Sequence, residues 1–514
     1  MNSDGRRSAD AAATARNFGS AAGMAALQAG SAGMGTRGVI CLAFVASVVA
    51  MPLAVARSPD QRVRVKLDVT GVLFAAAGRA AESVHEPITV AAAFDFLESP
   101  AGDASEDSPE GAEKAVATRR YFDATAEISI AGQSSRTVLA ADARLLSVAR
   151  QGTMALPFLR ESFLSRDEID LLETPFDSIL LDELLPKSPM ADGDAWQVPG
   201  DVTAGLLAID TVENGTLEAR LVTVVAGTAT IALAGAIDGA IDGVPTHVVV
   251  EGTFTATARE EEDRHVIEGG VAGIAVVLRE RRQASHVAPG FEVEARLDLK
   301  RSPADAAADV AGEDASAADE QVAAATLRRR GSGRPGLIWH RDAAGRYDLV
   351  YDSRWRSVED SPSGHVLRLV DHGALVAQCS ITALPRANAD VTSTIEEVQR
   401  DIKQSLAGQF GQFAGATEFE RDAAAAGAEE GAAGSRGKIK VVRVASTGTA
   451  EGLPFRWIHY VLTDGEGRRA SVTFMLEASL EKRFGDADRA LVDGLQFEPE
   501  AVREARLPEK TLLP

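Results

Sequence analysis

The sequence predicts an α+β protein in two bodies: a large curved antiparallel sheet with short helices, then a linker, then a second α/β sandwich on an antiparallel sheet. Three observations predict it. Apolar and polar residues alternate at period two through much of residues 62–300 and 337–477, the mark of half-buried strands. Helical spacing is confined to a few short stretches. Turn signals between successive runs are short, so neighbouring strands pair locally and antiparallel.

The first body begins at Arg62, where Val63, Val65, Leu67 and Val69 share one strand face, and Ile88, Val90, Ala92, Phe94 and Phe96 repeat the pattern. Glu98 to Glu113 carries Pro, Gly, Ser and six acids without a base, and reads as a solvated loop. Tyr121 to Ile130 and Thr137 to Leu146 read as a hairpin joined by Ala131-Gly132-Gln133-Ser134. Ser165-Arg166-Asp167-Glu168 is a capping box ahead of Ile169, Leu171 and Leu172, and Pro175 separates this helix from a second over Ile179 to Leu185. These two helices are expected to cover one sheet face. Asn214-Gly215 is a two-residue hairpin signal, and strands follow over Leu217 to Val225, Thr228 to Ala234, Thr246 to Ala258, His265 to Leu278 and Phe291 to Leu299. Burying so many alternating faces around two helices calls for a strongly curved sheet with the helices on its concave side.

Residues 62–300, with the runs Leu184-Leu185-Pro186 and Gly193-Asp194-Ala195-Trp196, resemble the half-barrel of LolA-like lipoprotein carriers and exported bacterial domains of unknown function. The resemblance implies an acyl chain held on the apolar concave face. Ser302 to Gly336 then reads as a linker, rich in Ala and acids and ending in Arg328-Arg329-Arg330, with too little apolar surface to fold alone.

The second body opens near Leu337. Tyr347 to Trp355 is a strand running into a turn, and Val366 to Val370 and Leu375 to Leu384 are further strands. Ser393-Thr394-Ile395-Glu396 reads as a capping box for a helix whose Ile395, Val398, Ile402, Leu406 and Phe410 recur at helical spacing. A strand at Glu418 to Glu420, a loop over Ala423 to Gly437, strands at Ile439 to Ala445, Phe455 to Leu462 and Arg469 to Glu477, and a helix near Ala487 to Leu495 complete it. The Y-D-S-R-W strand end, the helix after I-T-A-L-P, the W-I-H-Y-V-L-T-D strand opposite R-A-S-V-T-F-M-L-E and the short last helix resemble the PsbP-like fold. That resemblance implies protein binding or scaffolding and brings no catalytic residue.

At the amino end, Arg37, the apolar run Val39 to Ala50, Pro52 and Ala54-Val55-Ala56 form a Sec-type secretory signal with cleavage after Ala56. An uncleaved anchor is the alternative. The expected organisation is a disordered preface at 1–33, a signal peptide at 34–56, the curved sheet body at 57–300, the linker at 301–336, the PsbP-like body at 337–498 and a tail at 499–514. The destination is the periplasm or the exterior. After cleavage only Cys379 remains, so no internal disulfide can form. The net charge of -22 disfavours nucleic acid and anionic membrane surfaces.

Chemistry has little local support. The eight histidines, His365 and His372 on either side of one strand among them, form no H-E-x-x-H, and there is no nucleophile elbow, P-loop or dinucleotide fingerprint. Asp238-Gly239-Ala240-Ile241-Asp242-Gly243 has the look of a calcium loop but lacks its alternating ligands, and reads as a turn. Asp192 and Asp194 beside Trp196 suggest a sugar site, against which stands a loop with its Trp packed in the core. Asn214-Gly215-Thr216 fits a glycosylation sequon, and Cys379 lies among apolar neighbours as a buried small hydrophobe. No catalytic, metal or cofactor residue is therefore expected. The sequence points to an exported, non-enzymatic binding or scaffolding protein of the bacterial envelope, its partner an unknown protein or lipid. A lipid or apolar-ligand carrier is the alternative, and a hydrolase with spatially assembled carboxylates the third.

Overall fold

The computed structural model describes residues 60–74, 85–101, 115–241, 244–283, 290–304, 331–342, 344–371, 374–387, 393–423 and 437–498. The expected preface and signal peptide, residues 1–56, lie outside these residues, as do residues 305–330 and the expected tail at 499–514. Among the described residues no helix is long and apolar enough to cross a membrane.

The described residues are mostly strand and use only short helices, so the large antiparallel sheets form as expected and the protein is more β-rich than the α+β expectation. The first sheet is built from β1 (Gln61–Phe74), β2 (His85–Pro100), β3 (Ala115–Ile130), β4 (Gln133–Val138), β5 (Leu145–Gln151) and β6 (Met154–Phe158). An insertion then carries β7 (Leu164–Ser165), α1 (Arg166–Leu172), a 3-10 turn at Leu181–Leu184, β8 (Ala195–Val198) and α2 (Gly200–Leu207). The chain returns through β9 (Thr211–Val225), β10 (Thr228–Ile241), β11 (Val244–Glu261), β12 (Arg264–Arg282) and β13 (Gly290–Pro303). The order is β6-β5-β3-β2-β1-β13-β12-β11-β10-β9-β8, with β4 beside β3.

β1 sits mid-sheet, its Val65 opposite Phe94 of β2 and Leu299 of β13. One cavity is lined by Ala126 on β3 and by Val248 on β11, five strand intervals apart. Laid flat these would be about 24 Å from each other at ~4.8 Å per strand, so the sheet wraps around its contents. β6 and β8 do not pair, which leaves the curl open along one side. Inside it, α1, the 3-10 turn and α2 join the sheet in one apolar cluster that includes Phe94, Phe176, Leu181, Leu206, Leu217 and Ile231.

Four sequence expectations are corrected here. Asn214 and Gly215 lie within β9 and make no hairpin. The register shifts between Asp238 and Gly239 opposite them, a bulge that Gly215 supports at φ +91°. A Cβ there would meet the Ala236 carbonyl oxygen at 2.0 Å, so only glycine fits. Ile179 to Leu185 forms the 3-10 turn instead of an α-helix, and the second helix of this body is α2, over residues for which no helix was expected. Thr137 to Leu146 is not one strand: it breaks at a 3-10 turn, Ala141–Ala143, after which β5 pairs with the first half of β3.

The remaining strands are β14 (Leu337–Arg341), β15 (Tyr347–Asp352), β16 (Trp355–Ser361), β17 (Gly364–Asp371), β18 (Ala374–Leu384), β19 (Phe410–Asp422), β20 (Lys438–Ala450), β21 (Leu453–Asp464), β22 (Arg469–Glu477) and β23 (Leu495–Phe497). A seven-stranded antiparallel sheet runs β16-β17-β18-β22-β21-β20-β19. One face packs on α3 (Ile395–Leu406) through Val398, Ile402, Val442 and Val444. The other buries Trp355, Tyr460 and Phe474 against β15, α4 (Glu481–Phe484) and α5 (Ala487–Gly494). The capping box of α3 is Thr394 with Glu397, one residue later than expected, and Ser393 Oγ instead accepts from Arg469. Phe410, expected on the helix, begins β19.

A small sheet, β23-β15-β14-β7, joins the two bodies. Ile338 and Trp339 run parallel to Leu164 and Ser165, and the amides of Gly331 and Gly333 donate to the carbonyls of Glu161 and Arg160. Ser165 therefore has two duties: it ends β7 and, through its hydroxyl, caps α1.

Candidate functional site: a half-covered concave face

The concave face of the first sheet is apolar by construction, because every second residue of each strand points to it. On β1 and β2, Val63, Val65, Phe94 and Phe96 are buried, but Leu67, Val69 and Val90 on the same face are only half-buried. Ile128 on β3 and Val293 and Ala295 on β13 continue that half-buried band. The insertion covers one end of the concave face and leaves the other incompletely filled. A cavity of about 860 Å³ lies between this band and α1. Small side chains make the room: Ala92 and Ala126 face each other across β2 and β3, and Ala295 lies beside Leu278.

Ion pairs from two strands of the sheet hold the insertion in place at residues 177–182. Arg119, 3% exposed, donates through Nε to Glu98 (2.8 Å) and through Nη2 and Nη1 to Asp177 (2.5 and 3.0 Å). Its guanidinium lies over the Phe96 ring, 5.0 Å from the centroid. Burial would raise the Asp177 carboxyl, but Arg119 and the Ile179 amide outweigh it and hold that carboxyl below its ordinary range. Arg301 grips the next stretch, donating to Asp182 (2.7 Å) and to the Ser178 carbonyl (2.8 Å).

The rim of the cavity is charged. Arg166 and Asp170 of α1 pair at 2.7 Å, Glu168 closes the capping box, and Glu173 faces Arg356 of β16 at 4.0 Å. Burial raises the Asp170 carboxyl against the pull of Arg166. On the concave wall of β12, Glu280 accepts from Arg282 Nε (2.7 Å) and from Thr246 Oγ1 (2.9 Å), and Arg282 covers the Phe291 ring at 4.5 Å. Four of the carboxylates lining the cavity, Glu168, Asp170, Glu173 and Glu280, are thus engaged by an arginine or by a helix cap.

No protein-family model matches the chain. No curated protein matches it either. Among solved structures, lipovitellin, described for its lipid–protein interactions, aligns over 49% of this chain and 26% of its own at 8% identity and a TM-score of 0.24. The chain thus spans about a quarter of the lipovitellin chain it matches. OccK1 of Pseudomonas aeruginosa aligns over 80% of this chain and 96% of its own at 10% identity and a TM-score of 0.11. A loop-deleted OmpT, an outer membrane protein of Vibrio cholerae, aligns over 82% and 99% at 6% identity and a TM-score of 0.12. Likenesses this slight carry no argument about fold or function.

The residues singled out in the sequence are scattered. Asp238 lies in β10, where it pairs with His247 at 2.7 Å, whereas Asp242 and Gly243 fall outside the described residues. Asp194 accepts from the Ala191 amide, Asp192 faces His265 at 3.4 Å, and Trp196 packs against the core and donates to the Leu184 carbonyl. Cys379 is fully buried, and burial pushes its thiol up. His372 is outside the described residues. His365 stacks instead on His340 of β14, ring centres 4.1 Å apart, and bonds Ser357 (2.9 Å). Among the described residues no three His, Cys, Asp or Glu side chains gather as metal ligands. Sequence reading missed Arg119, Glu280 and Arg282. Each occupies an inward position of its strand, so a charge in the apolar phase of the alternation was the signal.

Proposed function

We propose that the protein is an exported, non-enzymatic binding protein of the bacterial cell envelope that holds an apolar chain against the concave face of its first sheet. The observation that carries this reading is the half-buried band of Leu67, Val69, Val90 and Ile128 beside a cavity of about 860 Å³. A monomer that needed only stability would fill such a face with its own side chains. A volume in the range of small-molecule sites, apolar walls and a charged rim suit one amphiphile, with its tail inside and its head at the rim. The LolA-like resemblance of residues 62–300 agrees with this reading.

Scaffolding through the second body is a separate reading, favoured by β19. It is the edge of its sheet, thirteen residues long and exposed over most of them on both faces. Such an edge can accept a strand from a partner. The PsbP-like assignment of residues 337–498 belongs to that reading.

Native mass spectrometry of the chain purified from the envelope without detergent, followed by organic extraction, tests the carrier. An acyl lipid near one per chain is the expected result. A folded protein that is empty and takes up no added lipid overturns it and leaves scaffolding through β19.

A further inference from the structure

Accepting the carrier reading, we infer that the occupant is an acyl amphiphile with an oxyanion head, a carboxylate or a phosphate, held by Arg282. Arg282 and Glu280 continue the inward phase of β12 after Val276 and Leu278, so they sit on the cavity wall and not on the outer surface. The side chain of Arg282 is 11% exposed and fixed in two ways: Nε donates to Glu280, and its plane lies over Phe291. Both contacts use one edge and one face of the guanidinium. Neither Nη1 nor Nη2 has a hydrogen-bond partner among the described residues, which leaves a pre-oriented pair of donors at the cavity.

The pair is not symmetric in what it offers. Glu280 Oε1 already accepts two hydrogen bonds, from Arg282 and Thr246, while the terminal nitrogens of Arg282 donate none among the described residues. An anion completes this arrangement; a cation would compete with Arg282 for Glu280. The tail then has its path. From Val90 to Phe94 the lining runs four residues along β2, about 14 Å at ~3.4 Å per residue. Carboxylate and phosphate share the chemistry that a guanidinium fork recognises.

The test is displacement of a neutral fluorescent probe, N-phenyl-1-naphthylamine, from the full chain by a long-chain fatty acid, the monoacyl phosphate and the alcohol of matching length. The acid or the phosphate should bind about ten- to a hundredfold more tightly than the alcohol, the range of a charge-assisted pair. Whichever anion wins names the source of the head. Arg282→Met should bring the ratio of anion to alcohol affinity down to about one, and Arg282→Lys should recover part of the difference. Equal binding of alcohol and anions by the native protein overturns the head assignment while the carrier stands. Failure of the probe and all three ligands to bind overturns the carrier as well. If Arg282→Met lost the alcohol too, the native ratio would decide alone, since it needs no variant.

Discussion

Replacing Arg119 by Met should strand two buried carboxylates and cost the first body much of its stability. Arg119 is 3% exposed, and the two carboxylates it serves, on Glu98 and Asp177, are 11% and 14% exposed. Methionine keeps much of the packing over Phe96 but abandons both charges in a medium that solvates them poorly. Breaking a buried ion pair by removing one partner costs about 3–5 kcal/mol. Ser178, which donates to Glu98 (2.7 Å), and Arg301, which also acts on Asp177, place the expectation at the lower end, about 3 kcal/mol. The assay is urea unfolding of native and Arg119→Met chains, followed by the triple variant with Glu98→Gln and Asp177→Asn. The triple variant should recover more than half of the loss, because neutral amides carry no stranded charge. Acid provides an independent check. The folded Asp177 carboxyl binds its proton less readily than the unfolded chain does, so its contribution is whole above the unfolded value of about 4 and fades as pH falls through the lower folded one. Arg119→Met should lack this acid-sensitive portion. A loss below about 1 kcal/mol, or a triple variant no more stable than the single one, would refute the pinning argument.

Three further outcomes follow from other parts of the molecule. Burial pushes His459 down to about 4, so the unfolded chain takes up a proton first, and its contribution is whole above about pH 6.5 and lost as pH falls toward 4. Thermal melts of His459→Gln should show about 1 kcal/mol less destabilisation than the native chain between pH 7.5 and 5.5, and parallel profiles would sink the idea. Gly215→Ala should lose about 1–3 kcal/mol in urea, from its positive φ and the Ala236 carbonyl in the way of a Cβ; an unshifted midpoint would contradict the bulge. Ala126→Phe should fill the cavity beside Ala92 and lower the affinity for the neutral probe about tenfold, while circular dichroism stays unchanged. Undiminished probe binding would move the ligand elsewhere.

Strands were legible in the sequence wherever burial was one-sided. Val63 to Val69 and Ile88 to Phe96 alternate cleanly, and these strands form in register, with Val63 opposite Phe96. Where tertiary contacts override local preference, reading by pattern failed. α2 has two glycines and no side-chain cap, and it forms because Val202, Leu206 and Leu207 are buried inside the bowl. Asn214-Gly215 carries the same local preference in a bulge as in a hairpin, and only its neighbour β10 distinguishes them. The site was half legible. Its apolar wall follows from alternation, but the pairing of Arg119 with Asp177 joins residues 58 apart in the chain, and no local pattern contains that.

The double duty of Ser165 gives the two bodies a common moving part. Its backbone is hydrogen-bonded into the sheet shared with β14, its side chain closes the first turn of α1, and the next residue, Arg166, reaches the Ser353 carbonyl before β16. α1 is also the lid of the cavity. The lid has no hinge of its own at that end: tilting it means either breaking the cap or carrying β14 along. Load applied to the seven-stranded sheet and load applied by a ligand under α1 meet over the short stretch from Ser165 to Glu173, where the parallel pairing, the reach of Arg166 and the Glu173–Arg356 pair together make the mechanical joint of the molecule.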